Sequence, residues 1–224
     1  TAGNIAEACR LSTEAAARGA RLIILPEGCL TGNAITRPEQ QATLPCDASA
    51  FDALRRVATE GGITICPGFA TPMGNRFNIV QPIIRPNGEV LFQHKAFRAV
   101  TEPEFLTPWP DPIRVPFEVD GVRVVITICS EYGAPGVKES MAGLKVYLIL
   151  HPSAGRMKNE ELWPTVGDPS PAAREFDTNC RKVVDRAMAR TRTEGIARAG
   201  ANPLGFDGET WWPGGNDPFR ADPL

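Results

Sequence analysis

Short runs of aliphatic residues alternate with segments of helical periodicity along most of this chain, and that alternation limits the folds it can adopt. Apolar residues recur at helical spacing over 4–18 and 47–60, whereas RLIIL, ITICPGFA and KVYLIL each predict a buried strand. Two further strand pairs, FNIVQPIIR with EVLFQH and IRVPFEV with VRVVITIC, are joined by the turn sequences Pro-Asn-Gly and Asp-Gly. Because hairpins occur among the helices and strands, we predict an α/β layered fold with a mixed sheet.

The second half of the chain continues this alternation less regularly. We predict a short helix over 135–143, a polar, Pro-rich loop over 155–171, a helix over 172–194 and a strand in GIARAGAN, followed by a loop-like tail. No linker separates two regions of different composition, and 224 residues suit a single domain. We therefore predict one domain over residues 1–224.

Charge, hydropathy and cysteine spacing exclude several functional classes. The formal net charge of −2 gives no strong field for nucleic acid or a membrane surface, and the longest apolar runs are too short to span a bilayer. The chain opens TAGNIAEACR, without the basic start and apolar segment of a signal peptide. Its six cysteines are irregularly spaced with no C-x-x-C, so we expect reduced thiols in a cytoplasmic protein rather than a zinc site or a disulfide framework.

Three residues of reactive types each follow a predicted buried strand: Glu27 after LIIL, Lys95 after EVLFQH and Cys129 after VVITI. Open α/β sheets place their ligand sites at such strand ends. A thiol of pKa about 8.5 is mostly protonated at neutral pH, so a nucleophilic cysteine needs a nearby base or cation. A glutamate can take that proton and pass it to a leaving amine, and a lysine can stabilise an oxyanion. Together the three residue types make a complete set for acyl transfer.

Each of these residues alone also has a simpler interpretation. Cys129 ends an apolar run and on its own fits a buried core thiol better than a nucleophile. Glu27 follows a proline and fits an ordinary loop carboxylate, and Lys95 fits a solvated surface charge. Spacing does not decide between these interpretations, so the decision depends on the local sequence around each residue.

Those local sequences resemble the motifs of the nitrilase, or carbon–nitrogen hydrolase, superfamily. LIILPEGCLTG resembles its first signature, GEVLFQHKAF its lysine motif, and VVITICSE its cysteine motif, a strand that ends Ile-Cys-x-Asp/Glu. The three motifs occur in the family order. GITICPGFA, VYLILHPSAG, and ARAGANPLGFDG followed by PGGN resemble supporting segments, so the resemblance covers nearly the whole chain.

The resemblance implies a four-layer αββα sandwich and a hydrolase that cleaves a small amide through a cysteine thioester. It implies Glu27 as general base, Lys95 as oxyanion stabiliser and Cys129 as nucleophile. The family also has a second glutamate shortly after the lysine, which positions the substrate or the lysine. Glu102 fits the family pattern Glu-x-x-x-Leu-Thr-Pro best, and Glu104 is the alternative.

The resemblance also implies which partners and cofactors to expect. It implies a small amide, nitrile or N-carbamoyl substrate, no metal or organic cofactor, and a homodimer or larger homo-oligomer. The two histidines, His94 and His151, are not spaced as metal ligands, which agrees with a metal-free site. His94 falls in the lysine motif, and His151 fits either the core or the wall of the pocket.

Some features depart from the family pattern. Members usually open with a strand before the first helix and continue with strands beyond the Gly-Gly run. We therefore expect a domain that lacks its terminal strands, either as a fragment or because disordered parts are omitted. Ser130 stands where an aromatic residue is common, which changes the pocket wall beside the nucleophile.

Three alternatives to amide hydrolysis follow from the same residues. The first is a nitrile or N-carbamoyl hydrolase of the same superfamily, and the second is a catalytically inactive binding or assembly member. The third, a redox protein using Cys129, is disfavoured because no second cysteine lies nearby in sequence to resolve an oxidised thiol.

Overall fold

A computed structural model describes most of the chain. The described residues are 1–32, 41–98, 102, 104–134, 136–154, 196–206 and 211–215. The predicted loop over 155–171 and the predicted helix over 172–194 lie outside them, as does Cys180.

Helices and strands follow one another along the chain in the order that the apolar periodicity predicts. The helices are α1 (Ala2–Ala17), α2 (Asp52–Gly61) and α3 (Val137–Met141). The strands are β1 (Leu22–Ile24), β2 (Thr64–Cys66), β3 (Phe69–Met73), β4 (Arg76–Ile84), β5 (Val90–His94), β6 (Phe117–Val119), β7 (Val122–Ile126), β8 (Leu148–Pro152), β9 (Ala197–Phe206) and β10 (Trp211–Gly215). Within the described part of the chain, no helix combines the length and hydropathy needed to cross a bilayer.

The first sheet has the strand order β1-β2-β4-β3, with β5 hydrogen-bonded to β4. β1 and β2 are parallel, and the other pairs are antiparallel. The prediction of one strand over ITICPGFA is wrong, because Pro67–Gly68 divides it into β2 and β3. Both parts keep one register along β4, with Ile65 opposite Ile84 and Phe69 opposite Val80. The interruption falls at the proline because proline has no N–H to donate to the ladder.

The second sheet has the strand order β10-β9-β8-β7-β6. β7, β8 and β9 are parallel, and β6 and β10 add antiparallel at the two edges. The prediction of mixed pairing is therefore confirmed in both sheets. The prediction of a loop-like tail is wrong for Trp211–Gly215, which pairs with β9. Its proline and two glycines are atypical of a strand, and only the hairpin pairing with β9 reveals it.

Alternate residues of β4 pack on opposite faces of the first sheet, which places this sheet in the middle of a sandwich. Val80 and Ile84 join a core cluster with α1 and α2. Ile79 and Ile83 join a second cluster, which includes residues of the second sheet. Those residues are Phe117, Val124, Ile126 and Leu150. Helices thus cover one face of the first sheet while its other face packs on the second sheet, and the predicted α/β sandwich is confirmed.

Several strand ends differ from the prediction near the candidate site. The strand predicted to run into Cys129 ends at Ile126, and a 3-10 turn occupies Cys129–Gly133. Cys129 has φ 51°, a left-handed conformation that cannot continue a strand. The strand predicted in KVYLIL begins later and covers Leu148–Pro152. The strand predicted over IRVPFEV is shorter and covers only Phe117–Val119, because it begins after the proline of that segment.

Candidate active site

A tight turn after β1 fixes the backbone of Glu27. Leu25, the residue that follows β1, donates its N–H to the Cys66 carbonyl at 3.0 Å. Gly68 packs directly against the turn: a Cβ there would lie 2.5 Å from the Pro26 carbonyl oxygen and 2.8 Å from the Glu27 Cα. Only glycine allows two backbones to approach so closely. As a result Glu27 is held in the interior and is 2% exposed.

The backbone of Lys95 is held at the end of β5 by three hydrogen bonds. Its N–H donates to the Ile79 carbonyl at 2.8 Å. Its carbonyl accepts from Nδ2 of Asn78 and from the Trp109 N–H, both at 2.8 Å. The lysine is fully buried. Since a lysine is almost never fully buried without a charged partner, its ammonium requires carboxylates nearby.

Two carboxylates share the Lys95 ammonium. Its Nζ lies 2.8 Å from Oε1 of Glu27 and also donates to Oε1 of Glu102. All three side chains are buried or nearly so. Glu104, the alternative second glutamate, is exposed. Of these two glutamates, the structure therefore brings Glu102 to the lysine.

The charges around Lys95 keep its ammonium protonated. Burial lowers the pKa of Lys95, but the negative charges of Glu27 and Glu102, joined by that of Cys129 where its thiol is ionised, outweigh burial and hold that pKa above its ordinary value. A lysine in this state is a fixed cation in a buried site, which is the type of group that stabilises a developing oxyanion.

Cys129 begins the 3-10 turn after β7 in a strained backbone conformation. Its φ of 51° lies in the left-handed region, which costs a residue other than glycine roughly 1–3 kcal/mol. Burial raises the pKa of the thiol to about 12, the charge of Glu27 adds to the rise, and Lys95 opposes it. The nearby Ala154 backbone N–H also opposes the rise. The thiol is thus protonated at neutral pH and needs a base to become a nucleophile.

The structure brings Glu27, Lys95, Glu102 and Cys129 into one electrostatic cluster. Ion pairs join the two glutamates to the lysine, and all three residues act on the charge of the thiol. The cluster therefore contains a protonated thiol, a carboxylate able to take its proton, and a fixed cation. Beside the thiol, the Ser130 hydroxyl is buried and makes no hydrogen bond to any residue that the structure describes.

A second buried ion pair lies beside this cluster, and sequence reasoning assigned it no role. Nη1 of Arg114 lies 2.8 Å from Oε2 of Glu131, and both side chains are closed to solvent. Burial raises the pKa of the Glu131 carboxyl, and Arg114 opposes that rise. Glu131 occupies the last position of the cysteine motif, so the motif could have marked it as a residue of the site. Arg114 stands alone in the segment IRVPFEV, where no local pattern marks it.

The two histidines make hydrogen bonds near the cluster. The ring of His94 stacks on Trp109, with centroids 3.9 Å apart, and its Nδ1 lies 3.0 Å from Oδ1 of Asn78. Burial lowers the pKa of His94. Nδ1 of His151 lies 3.1 Å from Oγ1 of Thr127. Among the residues described, no group of three or more His, Cys, Asp or Glu side chains is arranged to hold a metal ion.

Comparison with known sequences identifies the family. A sequence profile described as "Carbon-nitrogen hydrolase" matches residues 1–180. The chain belongs to the carbon-nitrogen hydrolase family. Two curated hydrolases from strains of Mycobacterium tuberculosis are each 32% identical to this chain over 158 residues, which is 66% of this chain and 54% of theirs. The chain spans about half the length of these curated relatives.

Solved structures share the fold of this chain. A mutant of the Nesterenkonia AN1 amidase from the nitrilase superfamily is similar with a TM-score of 0.70 at 20% identity, over 94% of this chain and 73% of that one. A second mutant of this amidase has a TM-score of 0.70 at 21% identity, over 95% of this chain and 74% of that one. In that structure the acetamide moiety of fluoroacetamide is covalently added at the active site cysteine. A glutamine-dependent NAD+ synthetase from Acinetobacter baumannii has a TM-score of 0.70 at 15% identity, over 97% of this chain and 39% of the synthetase. At these identities the similarity establishes the fold.

Proposed function

We propose that this carbon-nitrogen hydrolase cleaves the C–N bond of a small amide through a thioester on Cys129. One observation carries the proposal: a buried, protonated Lys95 is shared by Glu27 and Glu102 beside a thiol that requires a base. Burying several charges around one position is costly for the fold, and such clusters of perturbed titratable groups occur preferentially at functional sites.

In the first stage, Glu27 takes the proton of the Cys129 thiol as the sulfur attacks the carbonyl carbon of the amide. The carbonyl oxygen becomes an oxyanion, which the Lys95 ammonium and the backbone N–H of Ser130 stabilise. When the tetrahedral intermediate collapses, the C–N bond breaks and Glu27 donates its proton to the leaving ammonia or amine. The acyl group remains on the sulfur as a thioester.

In the second stage, Glu27 takes a proton from a water molecule whose oxygen attacks the thioester carbonyl. The oxyanion forms again at Lys95. Its collapse releases the carboxylic acid, and the Cys129 sulfur recovers a proton from Glu27. Glu102 is the second carboxylate on the Lys95 ammonium, so we assign it the role of holding that ammonium in position through both stages.

Two solved structures of one amidase of similar fold support the assignment of a nucleophilic cysteine. In one structure, a glutamate-to-glutamine mutant of the amidase from Nesterenkonia sp. AN1 carries the acetamide moiety of fluoroacetamide at its active site cysteine. In another, acrylamide has added to the active site cysteine of that amidase. Small amides therefore reach the nucleophile of that protein, and on our proposal Cys129 has the same role here.

Ammonia release from a panel of simple amides, nitriles and N-carbamoyl compounds tests the proposal. We expect release from at least one small aliphatic amide, and none when Cys129→Ala is assayed beside the wild type. Release from nitriles or N-carbamoyl compounds alone would assign one of the alternative reactions of the family. No release from any compound, with Cys129 alkylated by iodoacetamide no faster than the other thiols, would favour a non-catalytic binding or assembly protein.

A further inference from the structure

The ion pair between Arg114 and Glu131 is as deeply buried as the pair between Lys95 and Glu27. Its two charged atoms lie 2.8 Å apart, and both side chains are fully closed to solvent. A buried ion pair is weak evidence for stability, because its desolvation offsets much of the Coulombic attraction. The proposed reaction uses neither residue, so the role of the pair needs a separate explanation.

The Glu131 carboxylate connects the nucleophile segment to the lysine segment. One oxygen, Oε2, accepts the Ile128 N–H at 2.7 Å, and Ile128 directly precedes Cys129. The other oxygen, Oε1, accepts the N–H of Ala96, which directly follows Lys95. A single side chain thus holds the backbone next to both reactive residues.

The Arg114 guanidinium, the other member of the ion pair, contacts the same two segments. Its Nε donates to the Pro112 carbonyl at 3.0 Å, which fixes the guanidinium on its own loop. Nη1 and Nη2 make longer contacts of 3.5 Å to the carbonyls of Ile126 and His94. Ile126 is the last residue of β7 and His94 the last of β5. The planar fork of arginine can reach both strand ends at once, which the single ammonium of a lysine cannot do in the same geometry.

We propose that the pair Arg114–Glu131 is a positioning device, which sets the place of the Cys129 sulfur relative to the Lys95 ammonium. The hydrogen bond from Ile128 to Glu131 lies at the start of the turn in which Cys129 has φ 51°, and a strained residue keeps that conformation only when its surroundings impose it. The bond from Ala96 ties the same carboxylate to the lysine backbone. The role assigned to the pair rests on the proposed function of Cys129 and Lys95.

A positioning role and a purely structural role predict different behaviour of the thiol. A structural pair affects the melting temperature and leaves the reactivity of Cys129 unchanged in a folded variant that keeps both charges, such as Arg114→Lys. A positioning pair changes the distance between the sulfur and Lys95, and therefore the pH at which the thiol ionises and its rate of alkylation. The pH profile of alkylation separates the two roles without requiring a known substrate.

The experiment compares Glu131→Gln and Arg114→Lys with the wild type and with Glu118→Gln as a matched control. The control variant loses a partly exposed ion pair, in which Glu118 lies 3.1 Å from Arg123. Both residues belong to the hairpin of β6 and β7. The second-order rate constant for alkylation of Cys129 by iodoacetamide is measured from pH 6 to pH 10 by peptide mass spectrometry, beside a thermal melt. In this range, below the raised pKa of the thiol, the rate rises with the ionised fraction, so a displaced profile is read from the pH at which a given rate is reached. We expect both pair variants to react about 10- to 100-fold more slowly, the order of loss that follows a displacement of about 1 Å at a reactive centre. We also expect the pH profile of the alkylation rate to be displaced in Glu131→Gln and Arg114→Lys and unchanged in Glu118→Gln.

The outcomes decide separately on the pair and on the proposed function. A folded Glu131→Gln or Arg114→Lys variant that reacts at the wild-type rate with the wild-type pH profile overturns the positioning role. If Glu131→Gln does not fold, Arg114→Lys decides, because it keeps the buried positive charge. If neither folds, the pair is a requirement of the fold and the positioning role is also overturned. A wild type that releases no ammonia from any compound of the panel instead overturns the proposed function, and with it the role of the pair.

Discussion

The Lys95 ammonium lies 2.8 Å from the Glu27 carboxylate, and the two side chains are 0% and 1% exposed. With Glu102 on the same ammonium, one buried cation is shared by two carboxylates. Removing the cation leaves uncompensated charge in the interior, whereas removing one carboxylate leaves the other pair in place. The residues of the cluster should therefore differ in what they contribute to stability and to turnover.

Lys95→Met should lower both turnover and stability. The loss of the oxyanion donor should reduce kcat by about 10²–10³. The loss of the cation that the two carboxylates share should reduce the free energy of unfolding by about 3–5 kcal/mol, as measured by urea denaturation. Lys138→Met is the matched control, because Lys138 is exposed on α3, and its effect should stay within about 0.5 kcal/mol. Equal stability of the two variants would contradict the assignment of Lys95 as the charge that holds the cluster together.

Glu27→Gln should separate amide turnover from thiol reactivity. Without a base, kcat for amide hydrolysis should fall by about 10²–10⁴. The Glu27 charge contributes to the raised pKa of Cys129, so its removal should lower that pKa, and iodoacetamide should still alkylate the thiol. Ammonia release and the pH profile of alkylation measure the two effects. Glu104→Gln removes an exposed carboxylate and should change neither. Turnover retained in Glu27→Gln would exclude Glu27 as the base.

Stability should decrease at alkaline pH because of buried thiols. The pKa of Cys29 and that of Cys129 are each raised to about 12, chiefly by burial, whereas a thiol in the unfolded chain ionises near pKa about 8.5. Between these values the folded state binds more protons than the unfolded state, so the free energy of unfolding falls as pH rises, by up to about 1.4 kcal/mol per pH unit for each thiol. The raised pKa of Lys95 acts in the same direction above its unfolded value.

The variant Cys29→Ala checks this assignment. Urea denaturation between pH 8 and pH 10.5 should show a shallower decline of stability with pH for the variant than for the wild type. The change in slope is the readout, because the substitution also removes the hydrogen bond from the Gly68 N–H to the Cys29 sulfur and so shifts stability at every pH. Identical slopes would show that Cys29 ionises equally well in the folded and the unfolded chain.

Gly68→Ala should disturb the turn that carries Glu27. A Cβ at this position would lie 2.4 Å from the Gly28 nitrogen and 2.8 Å from the Glu27 Cα, and backbone atoms cannot move aside as a flexible side chain can. We expect a loss of about 1–3 kcal/mol in the free energy of unfolding, together with reduced turnover. Gly3→Ala is the control: a Cβ there meets nothing within 4 Å at the start of α1, so its effect should stay within about 0.5 kcal/mol. Wild-type stability and turnover in Gly68→Ala would show that the turn adjusts without moving the carboxylate.

The parts of the site that could be predicted from the sequence are those that short motifs encode. Glu27, Lys95 and Cys129 each follow an aliphatic run in a family motif, and the structure brings them together. The role of Arg114 could not be predicted, because its partner Glu131 lies across the fold and an isolated arginine in IRVPFEV has no pattern of its own.

The fold shows the same division between local and long-range information. Helices and hairpin turns were predicted from periodicity and turn residues, because both signals are local. The division of one predicted strand at Pro67–Gly68 depends on how the chain packs against the Glu27 turn. The strand Trp211–Gly215 depends on pairing with β9, and the left-handed backbone of Cys129 depends on the turn that replaces the end of the predicted strand.

Mass spectrometry of the protein mixed with small amides tests the central claim, that Cys129 is the nucleophile, most directly. The wild type, quenched in acid during turnover of a reactive amide, should carry the mass of one acyl group, and peptide mapping should place that group on Cys129. Cys129→Ala should fold, carry no adduct and release no ammonia. An acyl group on another residue, or ammonia release by Cys129→Ala at the wild-type rate, would contradict the account.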